Sequence, residues 1–184
     1  MSEIDQGVVF TVGHSTHPTE VFLSLLGGAG IRVLVDVRAF PGSRRWPQFN
    51  REALRATVAD ASIEYLWIPK LGGRRRGIAA ASRHTAWTVG AFRAYSDYAE
   101  TEDFSAGLNE LTEAARRAPT AYMCSEGLWW QCHRRIISDY LLARGWRVEH
   151  IMPDGKLRRH ELTPFARIAD EHLIYDSAIV VKSG

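Results

Sequence analysis

The residues best suited to chemistry are concentrated in one run, Cys124 to Arg135, CSEGLWWQCHRR. It holds both cysteines of the chain, and His133 follows the second directly. An apolar stretch, TAYM, precedes it and another, IISDYLL, follows it. This places Cys124 at the end of a strand and Cys132 at the start of a helix, where unpaired backbone N–H groups favour a thiolate. Four readings compete. A redox pair needs both sulfurs within disulfide reach, which Cys-x7-Cys permits without requiring. A zinc site needs a further ligand, with His14, His17 and Glu126 as candidates, and the spacing matches no common zinc module, so no metal ligand is assigned. A nucleophilic Cys124 could use His14 or His133 as its base. A phosphatase-type Cys-x5-Arg loop is excluded because position 130 is Trp. The fourth reading is structural: two buried thiols, and a loop pinned by Trp129 and Trp130. One of these tryptophans could instead stack on a base or sugar.

Three other segments carry reactive or anion-binding types. Gly13-His14-Ser15-Thr16 supplies an imidazole and two hydroxyls ahead of a helix N-terminus, a place that favours anions. Asp36 and Arg38 share one face of a strand because side chains alternate with period two, and Ser43 and Arg44 follow in a loop. Leu71-Gly72-Gly73 opens the basic run GGRRRG.

The elements that must position these groups read as follows. Strands are expected over 8–16, 32–38, 63–69, 119–126 and 147–152, each a β-branched or apolar run ended by turn residues. A helix follows the first strand, with Pro18 at its first position and Val21, Phe22, Leu25 and Leu26 on one face, and GGAG (27–30) stops it. Asn50 is placed as the cap of a second helix bearing Leu54, Val58 and Ala61. Helices are expected over 91–101, 104–117 and 133–144. Residues 70–90 form a long loop or lid, a length that tends to be functional or mobile. The tail from 156 onward shows no clear period. Strands alternating with helices define an α/β domain with an open, mostly parallel sheet and helices on both faces, Rossmann-like but without a dinucleotide fingerprint. In such sheets ligands bind beyond the carboxyl ends of the strands. That rule gathers His14, Arg38, Gly72, Gly73 and Cys124 on one edge.

At 184 residues, with 46% hydrophobic and 24% charged residues, the expectation is one soluble domain, 1–184. A net charge of +2 does not by itself argue for nucleic acid, but the arginines cluster in GSRR, GGRRRG and CHRR. The polar N-terminus and the absence of an 18-residue apolar run argue against a signal peptide and a membrane span, and two cysteines do not make a disulfide framework. A cytoplasmic location is the expectation.

Together, VGHST, DVRAFPGSRRWPQFN, YLWIPKLGG and CSEGLWWQCHRRIISDYL resemble the bacterial and archaeal domain-of-unknown-function family 488 over residues from about 9 to 165. The matching positions are Gly13, His14, Ser15; Asp36, Val37, Arg38, Pro41, Ser43, Arg44; Leu71, Gly72, Gly73; Cys124, Glu126; and Cys132, His133, Arg134. Where the family's inter-cysteine loop is usually polar, this chain has Gly127-Leu128-Trp129-Trp130. The resemblance implies an α/β fold with a shared polar pocket and names no cofactor.

The leading expectation is an enzyme acting on a phosphate-bearing ligand, a nucleotide or nucleic-acid component. Ser15, Thr16, Arg38, Ser43, Arg44 and Arg134 would hold the anion. His14, Cys124, Glu126 and His133 would carry proton transfer or nucleophilic attack. Asp36, Gly72, Gly73 and Cys132 would support them. The alternatives are a non-enzymatic module for nucleic acid or an anionic metabolite, and a thiol-redox or metal site.

Overall fold

The structure is a computed structural model that describes residues 6–77, 79–169 and 172–176. Five parallel strands form the body of one sheet: β1 (Val8–Gly13), β2 (Val33–Asp36), β3 (Glu64–Trp67), β4 (Thr120–Cys124) and β5 (Arg147–Ile151). A sixth, β6 (Leu157–Arg159), adds antiparallel to β5, giving the order β3-β2-β4-β1-β5-β6. The strands buried on both faces are the most continuously apolar ones, β2 and β4, as expected of the interior of a parallel sheet.

Two apolar layers cover the sheet. On one face α1 (Thr19–Gly28) and α2 (Arg51–Asp60) bury Phe22, Leu25, Leu26, Leu54 and Val58 against Val12, Leu34, Ala121 and Met123. On the other, α3 (Gly90–Ala99), α4 (Glu102–Arg117) and α5 (Arg134–Ala143) bury Tyr95, Phe104, Leu108, Leu111, Ile136 and Leu141 against Val9, Val35, Tyr122 and Val148. This is the open, mostly parallel, Rossmann-like α/β sheet expected from the alternation of elements. Helix α1 leaves β1 over one face toward β2, and α5 leaves β4 over the other toward β5. The connections that leave the neighbouring strands β1 and β4 therefore part to opposite faces of the sheet, and such a switch point opens a crevice.

Several local details differ from the sequence reading. Helix α1 starts at Thr19, with Pro18 as its cap residue. Asn50 sits at the cap of α2, but its side chain makes no cap bond; Oδ1 instead accepts from the backbone N–H of Ser43. The described residues of 72–89 contain no regular element, yet the second half is packed: Trp87 is buried and donates to Ser96, and the imidazole of His84 accepts from the Tyr175 N–H. Position 78 of this segment lies outside the described residues. A hairpin of β7 (Ala166–Ala169) and β8 (His172–Tyr175) follows β6, in the tail whose pattern was unreadable. Among the described residues no helix is long and apolar enough to cross a membrane.

Candidate functional site

Parallel pairing carries on past the ends of β1 and β4: His14 N–H donates to Cys124 O and Ser15 N–H to Ser125 O. The two chains run so close that a Cβ on Gly13 would lie 1.9 Å from the Glu126 carbonyl oxygen. Only glycine fits there, and this fixes the loop after β4 over the end of β1. The turn at His14-Ser15 is tight as well, with Ser15 in the left-handed region at φ 47.

A cavity of about 330 Å³ opens at this edge of the sheet. His14 borders it from β1; Arg38, Phe40, Ser43 and Trp46 from β2; Gly73 and Arg74 from the segment after β3; Cys124, Ser125 and Glu126 from β4; and His133 from the start of α5. Residues far apart in sequence thus meet at one rim.

Arg38 is held firmly. Its Nε and Nη2 donate to the two oxygens of buried Asp36 at 2.9 and 2.6 Å, and Nη2 also donates to Phe49 O. Tyr65 donates to the same carboxylate at 2.6 Å. Burial works against the Arg38 charge, but Asp36 outweighs it and raises the guanidinium pKa. The remaining arm, Nη1, points to His14 Nε2 at 3.3 Å. His14 Nδ1 donates to Ser15 O, so Nε2 carries the lone pair that accepts from Arg38. Burial, and then the Arg38 charge, lower the His14 pKa to about 4, so the ring is neutral at pH 7. Phe49 stacks on it at 4.1 Å.

Cys124 and His133 border the cavity with Cys132 behind them, and Cys124 Sγ, Cys132 Sγ and His133 Nδ1 lie within 4.8 Å of one another. His133 Nδ1 is 3.5 Å from Cys132 Sγ and 4.0 Å from Cys124 Sγ. His133 Nε2 donates to Val37 O at 3.1 Å, which fixes the ring and leaves the Nδ1 lone pair toward the sulfurs. Both thiols are free and buried. The hydrogen bond to Cys132, followed by burial, pushes Cys124 up to about 12. Burial also acts to raise Cys132, but the bond from Cys124 and the Arg134 charge outweigh it and bring it down to about 6. Of the two thiols, the inner one, Cys132, is therefore the more acidic.

Some expected site residues stand elsewhere. Arg134 does not line the cavity. It is 1% exposed and donates to Thr11 Oγ1 and to the carbonyls of Glu126 and Gly127, so its guanidinium ties β1 to the loop after β4 in place of the expected anion contact. Ser15 and Thr16 are also absent from the lining, and the helix whose N-terminus was to favour an anion beside them begins only at Thr19. Arg44 is exposed, outside the lining. Gly72 packs where a Cβ would come within 2.8 Å of Ala39 Cα, a supporting position. Trp129 stacks on His150 at 4.0 Å and 4°, which occupies the face proposed for a base or sugar. His150 continues a buried relay: its Nε2 pairs with His160 Nδ1 at 3.0 Å, and His160 Nε2 donates to Asp139. The sequence reading missed Arg74, Phe40 and Trp46 as lining residues. The basic run after Gly72-Gly73 was the available signal for Arg74.

Fold and crevice define a Rossmann-like α/β protein whose strand ends enclose a polar, cysteine- and histidine-bearing cavity. The chain belongs to the family described as Domain of unknown function DUF488, which matches residues 18–141. Neither a curated protein nor a solved structure matches it.

Proposed function

We propose that this protein is an enzyme acting on a phosphate-bearing ligand, a nucleotide or nucleic-acid component, held in the crevice between β1, β2 and β4. The observation that carries the reading is the meeting of Arg38, Arg74, Ser43 and Ser125 with His14, Glu126, Cys124 and His133 around one cavity. Arg38 Nη1 and the Arg74 guanidinium supply charged donors, and Ser43 and Ser125 supply neutral ones. Exposed Glu126 is the group placed for proton transfer, neutral His14 steadies the Arg38 Nη1 arm, and Cys124 with His133 is the reactive surface they adjoin. A nucleotide suits the rim better than free phosphate does. Phe40 borders the cavity yet is 73% exposed, a flat apolar ring beside guanidinium groups, as base stacking requires.

The test is calorimetric titration with a nucleoside monophosphate, a short single-stranded oligonucleotide and inorganic phosphate, at two salt concentrations. Arg74→Ala is the informative variant because Arg74 forms no ion pair among the described residues. A charge-assisted contact contributes about 1.5–3 kcal/mol, so the affinity should fall roughly tenfold or more. Phe40→Ala should weaken the nucleotide and leave phosphate unchanged. Equal affinity of Arg74→Ala and wild type for all three ligands would sink the proposal; binding without turnover would make the protein a binding module.

A further inference from the structure

We propose that Cys124, Cys132 and His133 form a three-ligand site for a thiophilic divalent ion, zinc(II) by its donor set, with the fourth coordination position open to the cavity. The inference does not depend on the ligand being a phosphate.

Four observations converge on it. The three donor atoms already stand in a triangle with no edge above 4.8 Å, and two of its edges are 3.5 and 4.0 Å. Zinc bonds of about 2.3 Å to sulfur and 2.0 Å to nitrogen at tetrahedral angles separate neighbouring ligands by roughly 3.5–3.8 Å. The donors therefore need to close by only a few tenths of an ångström at most edges. The His133 ring is in the required tautomer and is anchored as a metal-ligating imidazole is, its far N–H given to the Val37 carbonyl. Gly73 clears the approach: a Cβ there would stand 2.8 Å from His133 Nδ1. Finally, Cys124 and His133 face the cavity whereas Cys132 lies behind them, so an ion seated among the three is reached from the cavity side alone.

The chemistry of the donors selects the ion. Two thiolates and a neutral imidazole match the charge of a divalent ion, and soft sulfur excludes magnesium and calcium. Three protein ligands with an open fourth position is the arrangement of reactive zinc sites, whereas structural ones close with four. The open position is where a water or the cavity's ligand completes the tetrahedron. With the ion in place Cys124 is a ligand, and its thiol is shielded from alkylation.

The experiment uses the full chain, untagged, reduced and freed of metal by a chelator. It is titrated with cobalt(II), then with zinc(II) in competition. One equivalent of cobalt should produce thiolate-to-metal charge-transfer absorption in the near ultraviolet and the visible bands of a four-coordinate ion, both abolished by zinc. Cys124→Ser, Cys132→Ser and His133→Ala should each weaken zinc at least about 100-fold, since losing a ligand costs no less than losing one of the hydrogen-bond partners that orient it. Glu126→Gln should leave it unchanged. Should a ligand variant fail to fold, Gly73→Ala keeps all three donors and should weaken zinc about tenfold by crowding Nδ1. Zinc should also slow iodoacetamide labelling of Cys124. Absence of charge-transfer absorption in fully reduced protein overturns the proposal, as does stoichiometric cobalt binding that survives the three ligand variants. Inorganic phosphate titrated into the metal-free protein reports on the ligand pocket separately, so either inference can fail while the other stands.

Discussion

Replacing Asp36 by Asn is the sharpest test of how the crevice is held open. Asp36 is fully buried and accepts four hydrogen bonds: from the Arg38 backbone N–H at 3.0 Å, from Arg38 Nε and Nη2, and from the Tyr65 hydroxyl. The Asn amide keeps the shape, removes the charge and turns an NH2 group toward donors. Arg38, itself 7% exposed, is then a cation without a counter-charge. Breaking a buried pair from one side costs about 3–5 kcal/mol. For a chain of this length about 1 kcal/mol shifts the melting temperature by 2–4 °C, so a loss of about 10 °C is expected. Urea denaturation gives the same quantity as a shift in midpoint at unchanged slope. The double variant Asp36→Asn with Arg38→Met removes the stranded charge and should be less destabilised than the sum of the single changes by at least about 1 kcal/mol. Strict additivity, or a loss below about 1 kcal/mol in the single variant, would refute the view that this pair is the keystone of the pocket.

Two further outcomes follow from the same geometry. His14 has a folded pKa of about 4 against 6.5 when exposed, so the unfolded chain binds the proton more readily. Its contribution to stability is complete above pH 6.5 and is lost as pH falls toward 4, about 3 kcal/mol in all; equilibrium unfolding from pH 7 to 4 should show a shallower acid limb in His14→Gln than in wild type. Gly13→Ala would drive a methyl into the Glu126 carbonyl, and overpacking against backbone costs about 1–3 kcal/mol or more. A melting temperature within 1 °C of wild type, on the scale of about 2–4 °C per kcal/mol, would show that the loop after β4 is not seated as described.

Much of this architecture is legible in the residues. Val8–Gly13, Val33–Asp36 and Thr120–Cys124 read as strands because β-branched and apolar side chains run on to turn or polar residues, and in β2 and β4 burial on both faces demands that continuity. Once those ends are located, the carboxyl-end rule brings His14, Arg38 and Cys124 together without any knowledge of strand order. Three things escape it. The fate of Arg134 depends on which carbonyls the loop turns inward, and no residue type announces that. The contact between the two sulfurs and His133 arises from the short 3-10 turn Trp129–Gln131, which folds the chain back and yields a ligand spacing outside the common modules. Strands β6 to β8 are three or four residues long, and Leu157, Arg158 and Arg159 are all exposed, so no alternation marks them.

The ring of Trp129 lying flat on His150 ties the loop between the cysteines to the C-terminal part of the chain. His150 leans on His160, His160 on Asp139, and Asp139 also receives the Thr163 N–H and the Tyr175 hydroxyl. All of these except Trp129 and Asp139 lie beyond residue 141, where the family match stops. The C-terminal segment therefore acts as a buttress: a shortened chain ending at the family boundary would keep every residue of the cavity's rim and lose the masonry behind it.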